Sequence, residues 1–325
     1  MGKLDVKDKK LLYWLDINSR QSNSLIAKKI GLSKQVVGFR IKRLLKENMI
    51  SSFHTVIDIA KLGFTIHKNF LRLQNMSREK EAELLSFLKK NQNVVWVASC
   101  DGKYDMAFGT WARDIEYLDK TLKELNQKYG DSISERQIAT IIKGTYFIRD
   151  YLINKTEPSA RTPFFGAIPE PVKMDVNDWK ILIELGKNAR SSAVNIAKVI
   201  SMSADAVGDK IKRLEKSGVI RHYHFVPNET NYPYLHYKIL IGLKNLTEAR
   251  EKSLVEYCRI NSHIVYIVKA LGPWEFEIDM EVDNAEQFRE IMMDLKTKFN
   301  DILKDYSALH IYKIHKYNFC PGIPL

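Results

Sequence analysis

Residues 32–44 read LSKQVVGFRIKRL, and residues 202–214 read MSADAVGDKIKRL. In both stretches the apolar residues recur three and four positions apart, the spacing of one buried stripe on an α-helix. Sliding the chain against itself by 170 positions extends the match, with 23 identities among the 52 pairs that join residues 4–55 to 174–225. The 325-residue chain is therefore a tandem duplication, and its copies differ mainly where this helix would face solvent.

Each copy begins with a pattern typical of a winged helix-turn-helix. In the first copy, Asp5 predicts the capped start of a first helix and Asn18 predicts its end. A second short helix follows, Gly31 supplies a left-handed turn residue, and Ser33 caps the third helix. Residues 49–59 alternate and are rich in β-branched side chains, which predicts a wing or a strand leading onward.

The remainder of each copy follows the order strand, helix, strand, strand, helix, strand, which is the ferredoxin-like βαββαβ pattern. The sequence thus predicts an α+β fold, with two tandem copies of a winged helix-turn-helix followed by a ferredoxin-like domain. The predicted segments are winged helix-turn-helix 1 (1–57), ferredoxin-like ligand or dimerisation domain 1 (58–153), a proline-rich linker (154–173), winged helix-turn-helix 2 (174–227) and ferredoxin-like domain 2 (228–325).

The composition limits the kinds of binding partner and cofactor that we expect. The net charge of +12 favours a polyanion such as nucleic acid. The N-terminal residues are too charged for a signal peptide, and no stretch approaches the ~20 apolar residues that span a bilayer, so we expect a cytoplasmic protein with no membrane partner. The three cysteines are scattered without CxxC spacing, which predicts neither a disulfide framework nor a zinc site. No cofactor and no metal are predicted.

One conjunction of features points to a known family. A winged helix-turn-helix with the run VxxRIKRL at 37–44, followed by a βαββαβ domain with a G-x-Y-D turn, resembles the Lrp/AsnC family of leucine-responsive or feast/famine regulators. The resemblance implies double-stranded DNA as partner and dimerisation through the βαββαβ domains. A tandem chain then looks like a dimer fused into one polypeptide, a pseudo-dimer, that forms homo-oligomers.

The resemblance also implies a small-molecule effector, often an amino acid, near the G-x-Y-D turn. The implied ligand-binding residues are Gly102, Tyr104 and Asp105 in the first copy and Gly272, Trp274 and Glu275 in the second. Because the second turn carries larger side chains, the two sites should prefer different ligands. The alternative is that both glycines merely permit a tight hairpin turn.

The third helices predict a division of labour. The predicted DNA-binding residues are Ser33, Lys34, Gln35, Phe39, Arg40, Lys42 and Arg43. The second copy has Asp205 and Asp209 in place of Gln35 and Phe39, and its charge over residues 174–225 is +3 against +8 over residues 1–55. Carboxylates oppose phosphate contacts, so the second helix-turn-helix should bind DNA weakly, read a different sequence, or serve a structural role.

Two alternatives to a DNA-binding regulator remain open, although no catalytic motif supports an enzyme. Sirohaem decarboxylases resemble this architecture, and a tetrapyrrole pocket could involve His67, Lys68, His236 and Tyr237. A ligand-sensing protein that acts without DNA is the other. The histidines at 222, 224, 310 and 315 are predicted at surface and wing positions, and the mid-helix glycines at 38 and 208 are predicted to pack inside their domains.

Overall fold

The computed structural model describes residues 4–155, 157–159, 162–166, 171–320 and 322. The first copy consists of α1 (Val6–Ile17), α2 (Asn23–Ile30), α3 (Lys34–Lys46), β1 (Ile50–Ile57), β2 (Thr65–Leu73), α4 (Arg78–Lys90), β3 (Val94–Gly102), β4 (Met106–Ala112), α5 (Ile115–Tyr129) and β5 (Ile133–Tyr146). A short strand, β6 (Phe164–Gly166), lies between the copies. The second copy consists of α6 (Val176–Lys187), α7 (Ala193–Ile200), α8 (Ala204–Lys216), β7 (Ile220–Pro227), β8 (Leu235–Leu243), α9 (Glu248–Ile260), β9 (Ile264–Leu271), β10 (Phe276–Val282), α10 (Ala285–Lys298) and β11 (Leu303–Tyr317).

We call the segment from α1 to β1 the first head and the segment from α6 to β7 the second head. Local sequence signals determine where the helices of both heads begin and end. The Asp5 carboxylate accepts from the backbone N–H of Asp8, and Asp8 accepts in return from the N–H of Asp5, which forms a capping box on α1. Ser33 caps α3, as predicted. Gly31 ends α2 in the left-handed conformation, and Ser201 adopts nearly the same φ of 57° at the end of α7. The predicted helix-turn-helix is confirmed in both copies.

Each βαββαβ unit forms a sheet with the ferredoxin-like strand order. The order is β5-β2-β4-β3 in the first copy and β11-β8-β10-β9 in the second, so the strand that ends each unit pairs with the strand that begins it. The helices α4 and α5 pack on the outer face of the first sheet around Leu88 and Leu122, and α9 and α10 pack on the second around Leu254 and Leu295. The predicted α+β fold is confirmed.

Two long strands join the copies. Strand β5 pairs with β2 through its first half and with β9 of the second copy from Thr140 to Tyr146. Strand β11 likewise pairs with β8 and then, from Leu309 to Tyr317, with β3 of the first copy. The result is a closed circuit of eight strands with β6 attached to β5, and the two ferredoxin-like units therefore pair within one chain.

The two heads are also fixed to one another. Strands β1 and β7 form a two-stranded antiparallel ribbon. Arg20 donates to the carbonyls of Ala189 and Ser191 in the second head, and Arg190, its counterpart at the 170-residue offset, donates to Asn23 in the first. These reciprocal contacts hold the heads in a pseudo-twofold arrangement.

The ribbon corrects one prediction. His222 and His224 lie on β7 with 0% and 1% of their surface exposed, whereas the sequence predicted surface or wing positions. His222 bonds the Asp16 carbonyl of α1, and the His224 ring stacks on Tyr146 of β5, so their strand contacts both the first head and the strand circuit. Alternation in a strand does not reveal that both of its faces are covered.

The predicted linker is docked where the structure describes it. Strand β6 pairs with β5, and the Val172 N–H donates to the carbonyl of Lys61 at 2.8 Å. Residues 156, 160–161 and 167–170 of the predicted linker lie outside the described residues. In the part of the chain that the structure describes, no helix is both long and apolar enough to cross a bilayer.

Candidate nucleic-acid interface and ligand sites

Helix α3 presents a basic and partly apolar face. The Ser33 hydroxyl accepts from the backbone N–H of Val36 at 3.2 Å, which fixes the start of the helix. The exposed residues of this face include Ser33, Lys34, Gln35, Phe39 and Lys42. The Phe39 side chain is 68% exposed, so it contributes little to the core. An apolar side chain at this place on a groove-facing helix can contact a thymine methyl group.

The structure gives Arg40 and Arg43 an internal partner. Arg40 pairs with Asp5 at 2.7 Å and with Asp8 at 2.8 Å, and Arg43 pairs with Asp8 at 2.6 Å. The Asp8 carboxylate is fully buried, so these arginines compensate a charge that has left water. Both were predicted to contact DNA, but their guanidinium groups attach α3 to the capped end of α1.

The second head repeats these ion pairs between its third and first helices, but its third helix does not present the same exposed face. Lys210 pairs with Asp175 at 2.6 Å and with Asp178 at 3.1 Å. The hydrogen bond from Lys210, together with that from the Asp178 backbone N–H, holds the pKa of Asp175 below its usual value. On the exposed side of α8, Asp209 pairs with Lys212 at 3.2 Å. In α3 the corresponding position is Phe39, so this position offers no carboxylate to pair with Lys42. The two helices share a scaffold and differ in the charge they offer to a polyanion.

The G-x-Y-D turns lie where the two copies meet. A Cβ added to Gly102 would lie 2.6 Å from the carbonyl oxygen of Ala308 on β11, and one added to Gly272 would lie 2.7 Å from that of Ile138 on β5. Gly102 has a φ of +130°, in the left-handed region. These glycines therefore permit close packing of each turn against a strand of the opposite copy.

The other turn residues are largely occupied within the protein. The Asp105 carboxylate accepts from the Leu73 N–H at 2.7 Å, and Glu275 accepts from the Leu243 N–H at 2.6 Å. Tyr104 and Trp274 are buried, with ring centroids 6.3 Å apart across the junction of the copies. Burial and the Glu135 carboxylate raise the pKa of Tyr104 to about 12. The structure thus brings the two predicted turns together.

Sequence reasoning missed a cavity inside the strand circuit. Its empty volume, counted out to the open mouth, is about 790 Å³. The centre of a water molecule can occupy about 80 Å³ of that space without touching the walls. Both copies line it. Its apolar wall includes Ile66, Val95, Gly109, Ile141, Val265, Val268 and Ile314, and its polar wall includes Lys68, Arg149, Glu229, His236, Lys238, Asp279 and Glu281.

The polar wall is a chain of buried ion pairs. Lys68 pairs with Glu277 at 2.5 Å, and Lys238 pairs with Asp279 at 2.6 Å. Asp279 also pairs with His236 at 2.9 Å. Burial alone would lower the pKa of His236, but Asp279 and the nearby Glu229 raise it to about 9, so the imidazole is charged at neutral pH. Burial likewise opposes ionisation of Asp279, yet Lys238 and His236 hold its pKa well below its usual value.

A sequence signal for this wall exists in residues 276–282. Acids alternate with apolar residues there, and an alternating strand places Glu277, Asp279 and Glu281 on one face. The first copy has Ala107, Gly109 and Trp111 at the corresponding positions of β4. The lining carboxylates Glu229, Asp279 and Glu281 therefore all come from the second copy, whereas the first copy contributes Lys68 and Arg149.

The four residues considered for a tetrapyrrole pocket divide between two faces. Lys68 and His236 line the cavity. His67 instead bonds Thr140 at 2.9 Å, and Tyr237 stacks on Phe288 of α10 at 4.2 Å, because neighbouring strand residues point to opposite sides. Across the described ranges, no group of three or more His, Cys, Asp or Glu side chains is arranged to hold a metal ion.

Comparison with known proteins identifies the family. Residues 4–45 match an AsnC-type helix-turn-helix domain, and residues 174–221 match a winged helix-turn-helix DNA-binding domain. The HTH-type transcriptional regulator Ptr1 of Methanocaldococcus jannaschii is 35% identical over 121 residues, which cover 37% of this chain and 80% of Ptr1. The chain belongs to the Lrp/AsnC family. Transcriptional regulator AzlB of Bacillus subtilis is 33% identical over 35% of this chain and 73% of its own length. These relatives correspond to one copy of the tandem Lrp/AsnC chain.

A solved structure matches both copies at once. The siroheme decarboxylase NirDL superposes with a TM-score of 0.59 and 13% identity, over 97% of this chain and 94% of that chain. At this identity the likeness concerns the fold alone. The tandem Lrp/AsnC architecture therefore occurs in chains of more than one kind, and the side chains of the site must decide the function.

Proposed function

We propose that this transcriptional regulator binds double-stranded DNA through helix α3 of its first head, with the second head as its structural partner. The contrast between α3 and α8 carries the proposal. The same brace to the first helix holds both, but α3 exposes Gln35 and Phe39 where α8 exposes Asp205 and Asp209. Because phosphate contacts supply much of the affinity for DNA, the carboxylates on α8 oppose binding.

The proposed contacts are Ser33, Lys34, Gln35, Phe39 and Lys42. Lys34 and Lys42 would contact phosphates, whereas Gln35 and Phe39 would contact base edges in the major groove. Arg40 and Arg43 would set the angle of α3 through Asp8 instead of contacting DNA. One reading head per chain suits an asymmetric half-site, and two associated chains would suit a longer palindrome.

A small effector, such as an amino acid, is proposed to modulate binding. The G-x-Y-D turns are one candidate site, since Gly102 and Gly272 hold them at the junction of the copies, where a ligand would bear on the pairing of the two units. Association of pseudo-dimers into larger homo-oligomers is part of the same proposal, and sedimentation velocity of the full chain with and without DNA tests it.

The test of DNA binding is fluorescence anisotropy over a salt series, with DNA from upstream of the gene and a scrambled control. Gln35→Asp/Phe39→Asp, which gives α3 the acids of α8, should abolish the preference. The matched control is Asp205→Gln/Asp209→Phe, made at equally exposed positions of α8. The proposal would be refuted if the wild type bound upstream and scrambled DNA equally well and the α3 variant bound them with the same affinity.

A tetrapyrrole enzyme is the second candidate, favoured by the match to NirDL along the whole chain. The cavity argues against it. Lys68, Lys238 and Arg149 are each paired with a carboxylate, so few cations are left for the acidic side chains of a tetrapyrrole. The volume that water-molecule centres can occupy, about 80 Å³, also suits a molecule far smaller than a tetrapyrrole. Visible absorbance of the purified protein distinguishes the two candidates.

A further inference from the structure

Helix α1 carries a buried carboxylate near each of its ends. Asp8, near the start, holds Arg40 and Arg43 of α3, and Asp16, near the end, is 0% exposed. At 1.5 Å per residue, the two positions lie about 12 Å apart along the helix. A carboxylate that has left water needs compensating partners. Asp8 finds its partners inside the first head, whereas Asp16 finds them outside it.

The partners of Asp16 lie at the end of β5 and just beyond it. The Arg149 guanidinium donates through Nη1 to Oδ1 of Asp16 at 2.7 Å, and the Arg149 backbone N–H donates to Oδ2 at 2.8 Å. The Tyr146 hydroxyl also donates to Oδ1. These hydrogen bonds attach the end of α1 to the strand circuit.

The same guanidinium also bonds a strand of the second copy. Its Nε and Nη2 donate to the two carboxylate oxygens of Glu281 on β10, each at 2.8 Å, and the Tyr151 hydroxyl donates to Glu281 as well. We call Asp16, Tyr146, Arg149, Tyr151 and Glu281 the Arg149 network. A bidentate pair fixes the orientation of a guanidinium as well as its position. Arg149 therefore holds α1 in one place relative to the sheets of both copies.

The second copy has different residues at the corresponding positions. At the 170-residue offset Asp16 is replaced by Gly186, Tyr146 by Lys316 and Arg149 by Phe319. A Cβ added to Gly186 would lie 2.6 Å from Oδ1 of Asn318, so α6 packs closely against the end of the second copy without a carboxylate at that position. Asp178, in contrast, repeats the ion pairs of Asp8. The two heads thus share their internal ion pairs, and the Arg149 network attaches the first head.

We propose that Asp16 and Arg149 are positioning residues, which hold the first head at a fixed angle to the strand circuit and so set the direction in which α3 meets DNA. The connection runs along α1, from Asp16 to Asp8, the carboxylate that holds α3. Because this role concerns DNA binding by α3, it rests on the proposed function. A head that turned freely would present α3 correctly in a fraction of the molecules, and the apparent DNA affinity falls in proportion to that fraction.

The test is double electron–electron resonance of the full chain, with nitroxide labels on pairs of introduced cysteines. The pair Lys28→Cys and Glu124→Cys measures the distance from the first head to α5, and the pair Lys28→Cys and Lys198→Cys measures the distance between the heads. All three positions are exposed, whereas the native cysteines are buried. The second distance is the internal control, because the contacts of Arg20 and Arg190 that join the heads do not use the Arg149 network.

Two variants of Asp16 weaken the network in different ways. Asp16→Ala removes all three hydrogen bonds to the carboxylate and leaves Arg149 paired with Glu281. Asp16→Asn keeps the shape of the side chain but turns one acceptor oxygen into a donor that faces donors. Leu295→Ala, which opens a cavity in the core beneath α10 and lies outside the network, is the control for a general loss of stability.

The expected result is a broader distribution of distances from the first head to α5 in both Asp16 variants, with an unchanged distribution between the heads. In the unlabelled variants DNA affinity should fall about 10-fold, the loss that follows when a tenth of the molecules present α3 correctly. Leu295→Ala should lower the urea midpoint of unfolding and broaden neither distribution.

The positioning role is overturned if the distance from the first head to α5 stays as narrow in both Asp16 variants as in the wild type. Equal broadening of both distances, or the same broadening in Leu295→Ala, overturns it as well. Broader distances with unchanged DNA affinity overturn the link to DNA binding. Because the distances are measured without DNA, and DNA anisotropy of the wild type is measured in parallel, a failed positioning role is distinguished from a failed DNA-binding function.

Discussion

Replacing Arg40 with alanine separates the two roles that this residue could have. The Arg40 side chain is 20% exposed and pairs with the fully buried Asp8 at 2.8 Å. Its loss removes charge-assisted hydrogen bonds worth about 1.5–3 kcal/mol. Arg43 still pairs with Asp8 at 2.6 Å, so the loss should stay below the 3–5 kcal/mol of a fully broken buried pair. We expect Arg40→Ala to lower the free energy of unfolding by about 2 kcal/mol.

Urea unfolding followed by circular dichroism measures this loss, and DNA anisotropy of the folded variant measures the other role. Lys210→Ala is the matched variant in the second head, where the contact to Asp178 is longer at 3.1 Å and the loss should be smaller. Lys42→Ala should behave oppositely, with stability within about 0.5 kcal/mol of wild type and a salt slope of DNA binding reduced by about one. An Arg40→Ala protein that unfolds like wild type but binds DNA as poorly as Lys42→Ala would refute the reasoning.

Four further substitutions test single structural features by the same unfolding assay. The raised pKa of His236 means that its stabilising charge is present below pH 6.5 and lost as the pH rises to about 9, so stability should fall by roughly 3 kcal/mol over that window. His236→Gln should flatten this fall, and an unchanged slope would contradict the buried ion pair. Gly208→Ala should stabilise by about 0.5–1 kcal/mol, since nothing lies within 4 Å of the new Cβ. Gly38→Ala should gain less because its Cβ would lie 3.2 Å from Asn23; equal gains would count against this. Ser201→Gly should stabilise by about 1 kcal/mol by relieving a left-handed φ of 57°, and a loss would show that the serine is not strained.

Local chemistry made the heads predictable. Asp5, Gly31 and Ser33 act on backbone atoms within a few residues, so their identities predict the helix ends that the structure has. The same reasoning was less successful for the mid-helix glycines. Gly38 does face a neighbouring side chain, but the prediction that Gly208 packs inside its domain is wrong, because its helix surface is open there.

Long-range geometry was not predictable from the sequence. The periodicity of α3 places Arg40 near its exposed face, but it does not show that Asp8, 32 residues away, lies within 2.8 Å. The strand pattern predicts β5 and β11 but not that their ends pair with the opposite copy. The cavity depends on that pairing, so its lining residues come from elements whose proximity the sequence does not encode locally. Among the cavity's features, only the alternating acids of residues 276–282 could have been recognised from the sequence.

Closure of the eight-strand circuit within one chain also fixes the ratio of first to second copies at one to one. Two separate genes for diverged copies would produce a statistical mixture of like and unlike pairs, because both copies share the strands that pair. In this chain the end of β5 already covers β9 and the end of β11 already covers β3, at the high effective concentration of a covalent link. Each molecule therefore carries one strongly basic head and one weakly basic head, with charges of +8 and +3. One copy can accumulate mutations without having to pair with an identical copy of itself.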